Sequence, residues 1–300
     1  MNARNLLKKT IEMIEGAYAP STIRAYKGNF EKFICFCETE NKQALPAHSA
    51  TVAKFIQELT KSGLKSASIR LAYASISTIH KLNELPDPTQ SPIAKLELRR
   101  MHRAIGRESK QALGVSPSIL KKMLDAAGNN LRDLRNKALI LIAYETLCRR
   151  SELISLKTED VEPDTTTGGA LIKLRRSKTD QESIGSWLRI NSEPYKALKL
   201  WIEMAGIFEG AIFRGVSLNG AVMPAGIKPA QINRIYKAMG KSANLSSGQL
   251  KKLSGHSMRV GAAQNLSLLG VNLPLLMAKG RWTKPETAIR YIKEIDGLIR

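Results

Sequence analysis

The sequence has 300 residues, 43% of them hydrophobic, which is enough for one or two cored domains and excludes disorder along the whole chain. Lys and Arg outnumber Asp and Glu by 47 to 26, a net charge of +21 that repels itself unless a polyanion relieves it. Nucleic acid is the first candidate partner and an acidic membrane surface the second. The excess is spread evenly, with 18 basic against 10 acidic residues in 1–110 and 29 against 16 in 111–300, so two basic regions gripping one duplex fit better than a basic tail.

In chain order, residues 1–17 read as an N-terminal tail whose opening MNARNLLKKT lacks the apolar stretch of a signal peptide. Ser21-Thr22 is a helix start signal, followed by helix-spaced Ile23, Tyr26, Phe30, Phe33 and Ile34. Ala50 to Lys61 repeats the pattern through Val52, Phe55, Ile56 and Leu59, and Lys65 to Leu82 does so through Ile69, Tyr73, Ile76 and Ile79. Pro86, Pro88 and Pro92 break the run, and a basic helix, KLELRRMHRAIGR, follows. Residues 18–106 therefore read as an all-helical domain, 107–117 as a linker and 118–300 as a second domain. That second domain opens with helices at Ser118 to Gly128 and Leu131 to Leu147. ALIKLRRSKTDQESIGSWLRI then alternates as a hairpin around a polar loop, and helical patterns return from Glu193. The fold class is mainly α with a small β-sheet.

Cys35, Cys37 and Cys148 are too few for a disulfide framework and suggest a reducing compartment. His48, His80, His102 and His256 are scattered, so no metal site is expected. The longest apolar run, Ala138 to Tyr144, falls far short of the roughly 20 residues of a membrane span. The expected location is cytoplasmic and nucleoid-associated.

Four segments carry candidate chemistry: LCRRSELISL with Arg149 and Glu152, the hairpin loop RRSKTD with Lys178, SGHSMRVGAA with His256 and Arg259, and GRWTKPETAIRYI with Trp282 and Tyr291. Direct cleavage of a phosphodiester needs a nucleophile, cations on the phosphate and a proton for the leaving oxygen. Tyrosine, arginine forks and a mobile ammonium are those groups. The ordered set Arg-x-x-Glu, hairpin Lys, His-x-x-Arg, Trp and Tyr resembles the site-specific tyrosine recombinases. It does so over nearly the whole chain from about residue 18, although Leu-Cys-Arg replaces the usual Gly-Leu-Arg.

That resemblance implies a helical SAM-like core-binding domain and a mixed α/β catalytic domain, closing on DNA as a C-shaped clamp. It implies Tyr291 as the nucleophile, and Arg149 and Arg259 as phosphate clamps aided by His256 and Trp282. Glu152 would orient an arginine or His256, and Lys178 would act as general acid. It implies a homotetramer exchanging strands between inverted-repeat sites through a Holliday junction, with no cofactor. Lys95, Arg99, Arg100, Arg103 and Arg107 would follow the backbone. Ser68, Arg70, Gln231, Asn233 and Arg234 are candidates for reading bases. Only IKEIDGLIR follows Tyr291, about two helical turns at most, so either the tail that docks into a neighbouring protomer in such enzymes is cut short in the sequence given, or assembly leans on other contacts. A type IB topoisomerase with similar chemistry, or a DNA-binding protein without chemistry, remains the alternative.

Overall fold

The computed structural model describes residues 2–107, 111–175 and 185–292. Lys178 lies outside the described residues. The chain divides into two units, Met1–Lys110 and Gln111–Arg300.

The first unit is helical throughout: α1 (Ala3–Met13), α2 (Pro20–Thr39), α3 (Ser49–Lys61), α4 (Ser66–Leu82) and α5 (Pro92–Ile105). The apolar stripes meet in one core, where Phe30, Phe33, Ile56, Ile69, Ile76 and Ile79 are essentially without solvent contact. Each such side chain contributes about 1.5–3 kcal/mol when taken from water. Phe33 and Phe55 pack with ring centroids 5.1 Å apart. Residues 3–13, expected as part of a tail, instead form α1, and its Leu7 joins this core. Asn2 starts the helix by accepting the Arg4 N–H. That signal was obscured by the run of polar residues around a narrow apolar stripe.

The proline-rich turn before α5 is built on Asp87. Its carboxylate accepts from Ser77 Oγ at 2.6 Å and from both the N–H and the hydroxyl of Thr89. Burial works against the charge, but these donors outweigh it and hold the carboxyl well below its usual range. Ser91 then caps α5, Pro92 occupies its first turn, and Gly106 ends it at φ 73°. His80 is a structural histidine: its Nε2 accepts the Ala47 N–H at 2.9 Å and its Nδ1 faces the Ile76 carbonyl at 2.8 Å.

The second unit runs α6 (Pro117–Asp125), α7 (Leu131–Thr146), α8 (Arg150–Leu153), β1 (Val161–Asp164), β2 (Gly169–Leu174), β3 (Ser186–Ile190) and α9 (Ser192–Met204). It continues with β4 (Arg214–Val216), β5 (Val222–Gly226), α10 (Pro229–Ser242), α11 (Ser247–Lys252), α12 (Ser257–Leu268), α13 (Leu273–Gly280) and α14 (Pro285–Ile292). The expected hairpin is β2–β3, paired antiparallel with Ile172 opposite Leu188. The sheet also holds β1, which pairs with β2, and β4–β5 form a second small ribbon inside the stretch read as helical. VEPD and VMPAG are short, each holds a proline, and neither alternates cleanly, so period-2 patterning could not mark them. Helix α7 is the axis of this unit. Leu139, Ile140 and Ile142 are fully buried, and Trp201 of α9 packs in the same core with its indole N–H on the Ile212 carbonyl at 2.9 Å. No helix among the described residues is long and apolar enough to cross a membrane.

Candidate active site

Helix α7 stops at Leu147, which adopts a left-handed conformation at φ 52° and turns the chain through buried Cys148 into α8. Arg149 is the residue before α8, and Glu152 reaches back to accept its backbone N–H at 2.9 Å. The same carboxylate takes the Arg149 guanidinium at 2.6 Å. Glu152 is only 2% exposed. Burial pushes its carboxyl up, but the Arg149 N–H, then Arg281 and the Arg149 guanidinium, outweigh that and hold it ionised.

Arg259, on α12, is 1% exposed. Its two terminal nitrogens donate to the carbonyls of Leu147 and Gly280, tying the end of α7 to the end of α13. Burial, and then the charge of Arg149, push its pKa down to about 10, which leaves it cationic at neutral pH. A buried guanidinium on two neutral carbonyls is costly unless an anion approaches. Its Nε has no partner among the described residues.

Trp282 follows α13 and folds back against it. A Cβ on Gly280 would lie 2.3 Å from the indole, so glycine is needed there for close packing. The indole is 5% exposed and its N–H is unpartnered among the described residues. The Arg259 guanidinium sits 4.6 Å from this ring and 5.5 Å from the ring of Tyr291 on α14, and the two rings lie 4.9 Å apart. Trp282 belongs to a small apolar cluster with Leu147, Ala262, Ala263, Leu276 and Ala288, and Tyr291 packs against it. Gln111 donates to the Tyr291 carbonyl at 3.0 Å, which fixes the backbone of α14 as well.

His256 is exposed and precedes α12 as its N-cap, one turn above buried Arg259. Ser254 accepts the His256 N–H at 3.2 Å, and Asn233 on α10 accepts the Gly255 N–H at 2.6 Å. A Cβ on Gly255 would lie 2.0 Å from the Arg150 side chain and 2.7 Å from the Asn233 amide oxygen, so α8, α10 and the His256 turn pack closely here, and a side chain at this position would have to displace both.

Of the expected residues, Arg149, Glu152, Arg259, Trp282 and Tyr291 come together, and His256 stands at their edge. The candidates for reading bases divide. Ser68 and Arg70 are exposed on α4, and Arg234 is exposed on α10. Gln231 already accepts the Lys228 N–H at 2.6 Å, and Asn233 is committed to Gly255, so both oxygens serve the backbone. On α5, Lys95, Arg99 and Arg103 are exposed, as is Arg107 beyond it, while Arg100 is paired with Glu97 at 2.9 Å. Sequence reading missed Arg281. Its guanidinium contacts Glu152 at 3.0 Å and the Thr146 carbonyl at 3.2 Å. The available signal was a lone cation between Gly280 and Trp282.

The model of the phage integrase family matches residues 115–296, and that of the N-terminal SAM-like domain of phage integrases matches residues 12–83. The recombinase cre of Escherichia phage P1 is 27% identical over 295 residues, covering 93% of this chain and 86% of that protein. An integrase/recombinase xerD homolog of Selenomonas ruminantium is 25% identical, covering 98% and 87%. Among solved structures, the Tn1549 transposon integrase in complex with transposon right end DNA matches with a TM-score of 0.66 at 16% identity, covering 97% of this chain and 94% of that one. The XerH recombinase in a post-cleavage complex with a palindromic difH substrate matches at 0.65 and 18%, covering 90% and 76%. Fold and relatives define the class: enzymes that break and rejoin DNA strands in site-specific recombination. The chain belongs to the phage integrase family and is a tyrosine recombinase.

Proposed function

We propose that Tyr291 attacks the scissile phosphorus, forming a Tyr Oη–P bond as the P–O5′ bond breaks, and leaves a 3′-phosphotyrosine and a free 5′-hydroxyl. The phenol proton passes to solvent water, and the departing 5′-oxygen takes a proton from Lys178. Arg149 and Arg259 neutralise the non-bridging oxygens, with His256 and the Trp282 indole N–H as further donors. Glu152 orients Arg149. The bond energy stays in the phosphotyrosine, so the reverse attack by a 5′-hydroxyl of the second duplex rejoins the strands without a nucleotide or metal cofactor.

The observation that supports this reading most is the convergence of residues far apart in sequence. Tyr291 lies against the Arg259–Trp282 pair, and Arg259 in turn holds the turn that leads to Arg149. Around this centre, both basic units hold one duplex as a clamp. Lys95, Arg99, Arg100, Arg103 and Arg107 lie along the phosphates, while Ser68, Arg70 and Arg234, with the remaining donor of Gln231, face base edges. Four protomers bring two inverted-repeat sites together and exchange strands in pairs through a Holliday junction. The decisive test is Tyr291→Phe on site-bearing DNA. Binding is expected to persist while the covalent protein–DNA band disappears on denaturing gels; a covalent band in that variant places the nucleophile elsewhere.

A further inference from the structure

Arg281 is held in a conformation that its residue type disfavours. It ends α13 at φ 53°, ψ 48°, the left-handed region where a non-glycine residue costs about 1–2 kcal/mol. Glycine would adopt that backbone freely. What the side chain does there offsets the cost. One terminal nitrogen reaches Glu152 Oε2 at 3.0 Å and lies 3.7 Å from Cys148 Sγ. The other donates to the Thr146 and Lys279 carbonyls, each at 3.2 Å. The side chain is 13% exposed.

Glu152 is therefore shared. Its Oε1 accepts the Arg149 guanidinium, and its Oε2 accepts the Arg149 backbone N–H and Arg281. Arg281 and Arg259 form two parallel ties between the same segments, the end of α7 and the end of α13. Arg259 grips the carbonyls of Leu147 and Gly280, and Arg281 grips that of Thr146 and the carboxylate of Glu152. Three guanidinium groups around one buried carboxylate leave a net positive charge that an approaching phosphodiester lowers.

We infer that Arg281 is a positioning residue of the strand-transfer site: by holding the second oxygen of Glu152 it fixes that carboxylate, and through it aims the Arg149 guanidinium at the phosphate. This rests on the proposed role of Arg149. Arg281 itself acts through Glu152 and need not touch DNA. Without it Glu152 can swing toward Arg149 with both oxygens, which occupies the fork that phosphate requires.

The test is single-turnover covalent-complex formation by the full chain on nicked site DNA, with binding measured separately by gel shift. Arg281→Gly removes the tie and suits the backbone. Its rate at saturating protein is expected to fall about tenfold, which is about 1.4 kcal/mol at the transition state, while affinity changes less than about twofold. Arg281→Lys keeps the charge and is expected to recover part of the rate; it also carries the test should the glycine variant melt early. Arg281 acts through Glu152, so in a Glu152→Gln background Arg281→Gly is expected to cost less than about twofold more. A wild-type rate in Arg281→Gly, equal losses of rate and affinity, or a full tenfold loss in the Glu152→Gln background overturns the inference. Tyr291→Phe run in parallel separates the two levels: a covalent complex in that variant sinks the reading of the site, whereas its absence beside an unaffected Arg281→Gly sinks only the positioning role.

Discussion

Helix α5 and the Arg149–Arg259–Arg281 cluster are both rich in arginine, and they use it in opposite ways. Along α5, Arg99 and Arg103 stand in water with solvated guanidinium groups. In the cluster Arg259 is 1% exposed, lies on backbone carbonyls and presses on two aromatic rings. A surface cation gains from DNA by releasing counterions, a term that adds up over many residues and that salt weakens. A buried cation has already lost its water, so it is pre-oriented and strongly felt at one place. The first arrangement suits holding DNA, the second suits changing it.

The sharpest way to break that distinction is to remove one cation of each kind. Arg259→Ala is expected to lower single-turnover cleavage by about 10²–10³, the loss typical of a preorganised donor, while affinity shifts only a few-fold because many other cations share the binding. Arg259→Lys, which keeps charge but loses the fork, is expected to be nearly as impaired. Matching losses of affinity and cleavage would make Arg259 an ordinary backbone-binding cation.

Lys178 is a cation of a third kind, since the proposal has it donate a proton rather than hold charge. Lys178→Ala is expected to lose about 10²–10⁴ in cleavage of ordinary DNA, the range for general acid catalysis. It should approach wild type when the bridging 5′-oxygen is replaced by sulfur, because a thiolate with a parent pKa of roughly 8.5 departs without that proton. Arg149→Ala should gain no such selective benefit. If sulfur leaves Lys178→Ala as slow as before, the acid is another residue, with His256 next in line.

A smaller effect is expected on the α5 side. Replacing Arg99 and Arg103 together with Ala should weaken DNA binding and flatten its dependence on salt, by about 0.9 in the log–log slope for each phosphate that is no longer neutralised. Cleavage at saturating protein should hardly change. A cleavage defect at saturation would show that α5 also feeds the chemistry.

The smallest effect sharpens the role of Asn233. Its bond to the Gly255 N–H is worth about 0.5–1.5 kcal/mol if typical, so Asn233→Ala is expected to slow cleavage about 2- to 12-fold without altering which site is bound. A changed base preference in a selection on randomised sites, with the rate intact, would instead make it a reader of sequence.

Much of this molecule is legible in the chain itself. The stripes of α2, α3 and α4 appear as regular spacings of Phe, Ile and Val because each helix must bury one face. The ordered motifs around Arg149, His256, Trp282 and Tyr291 stand out because that chemistry needs these residue types. The strand β1 and the β4–β5 ribbon did not stand out, since their pairing partners lie elsewhere and their own residues carry little pattern. Helix α1 hid behind its polar surface.

The sequence by itself determined the helical character of the first unit, the mixed character of the second, the basic charge on both and the chemical groups available for cutting DNA. Each of these follows from composition or from spacings within a few turns of chain, and local rules reach that far. Only the tertiary structure decided which arginines are buried, that Glu152 is shared between Arg149 and a residue 129 positions away, and that Asn233 supports Gly255 instead of standing free. Those facts depend on how α7, α10, α12 and α13 pack. A guanidinium in water and one held on two buried carbonyls are the same letter in the sequence, and burial alone makes them physically different.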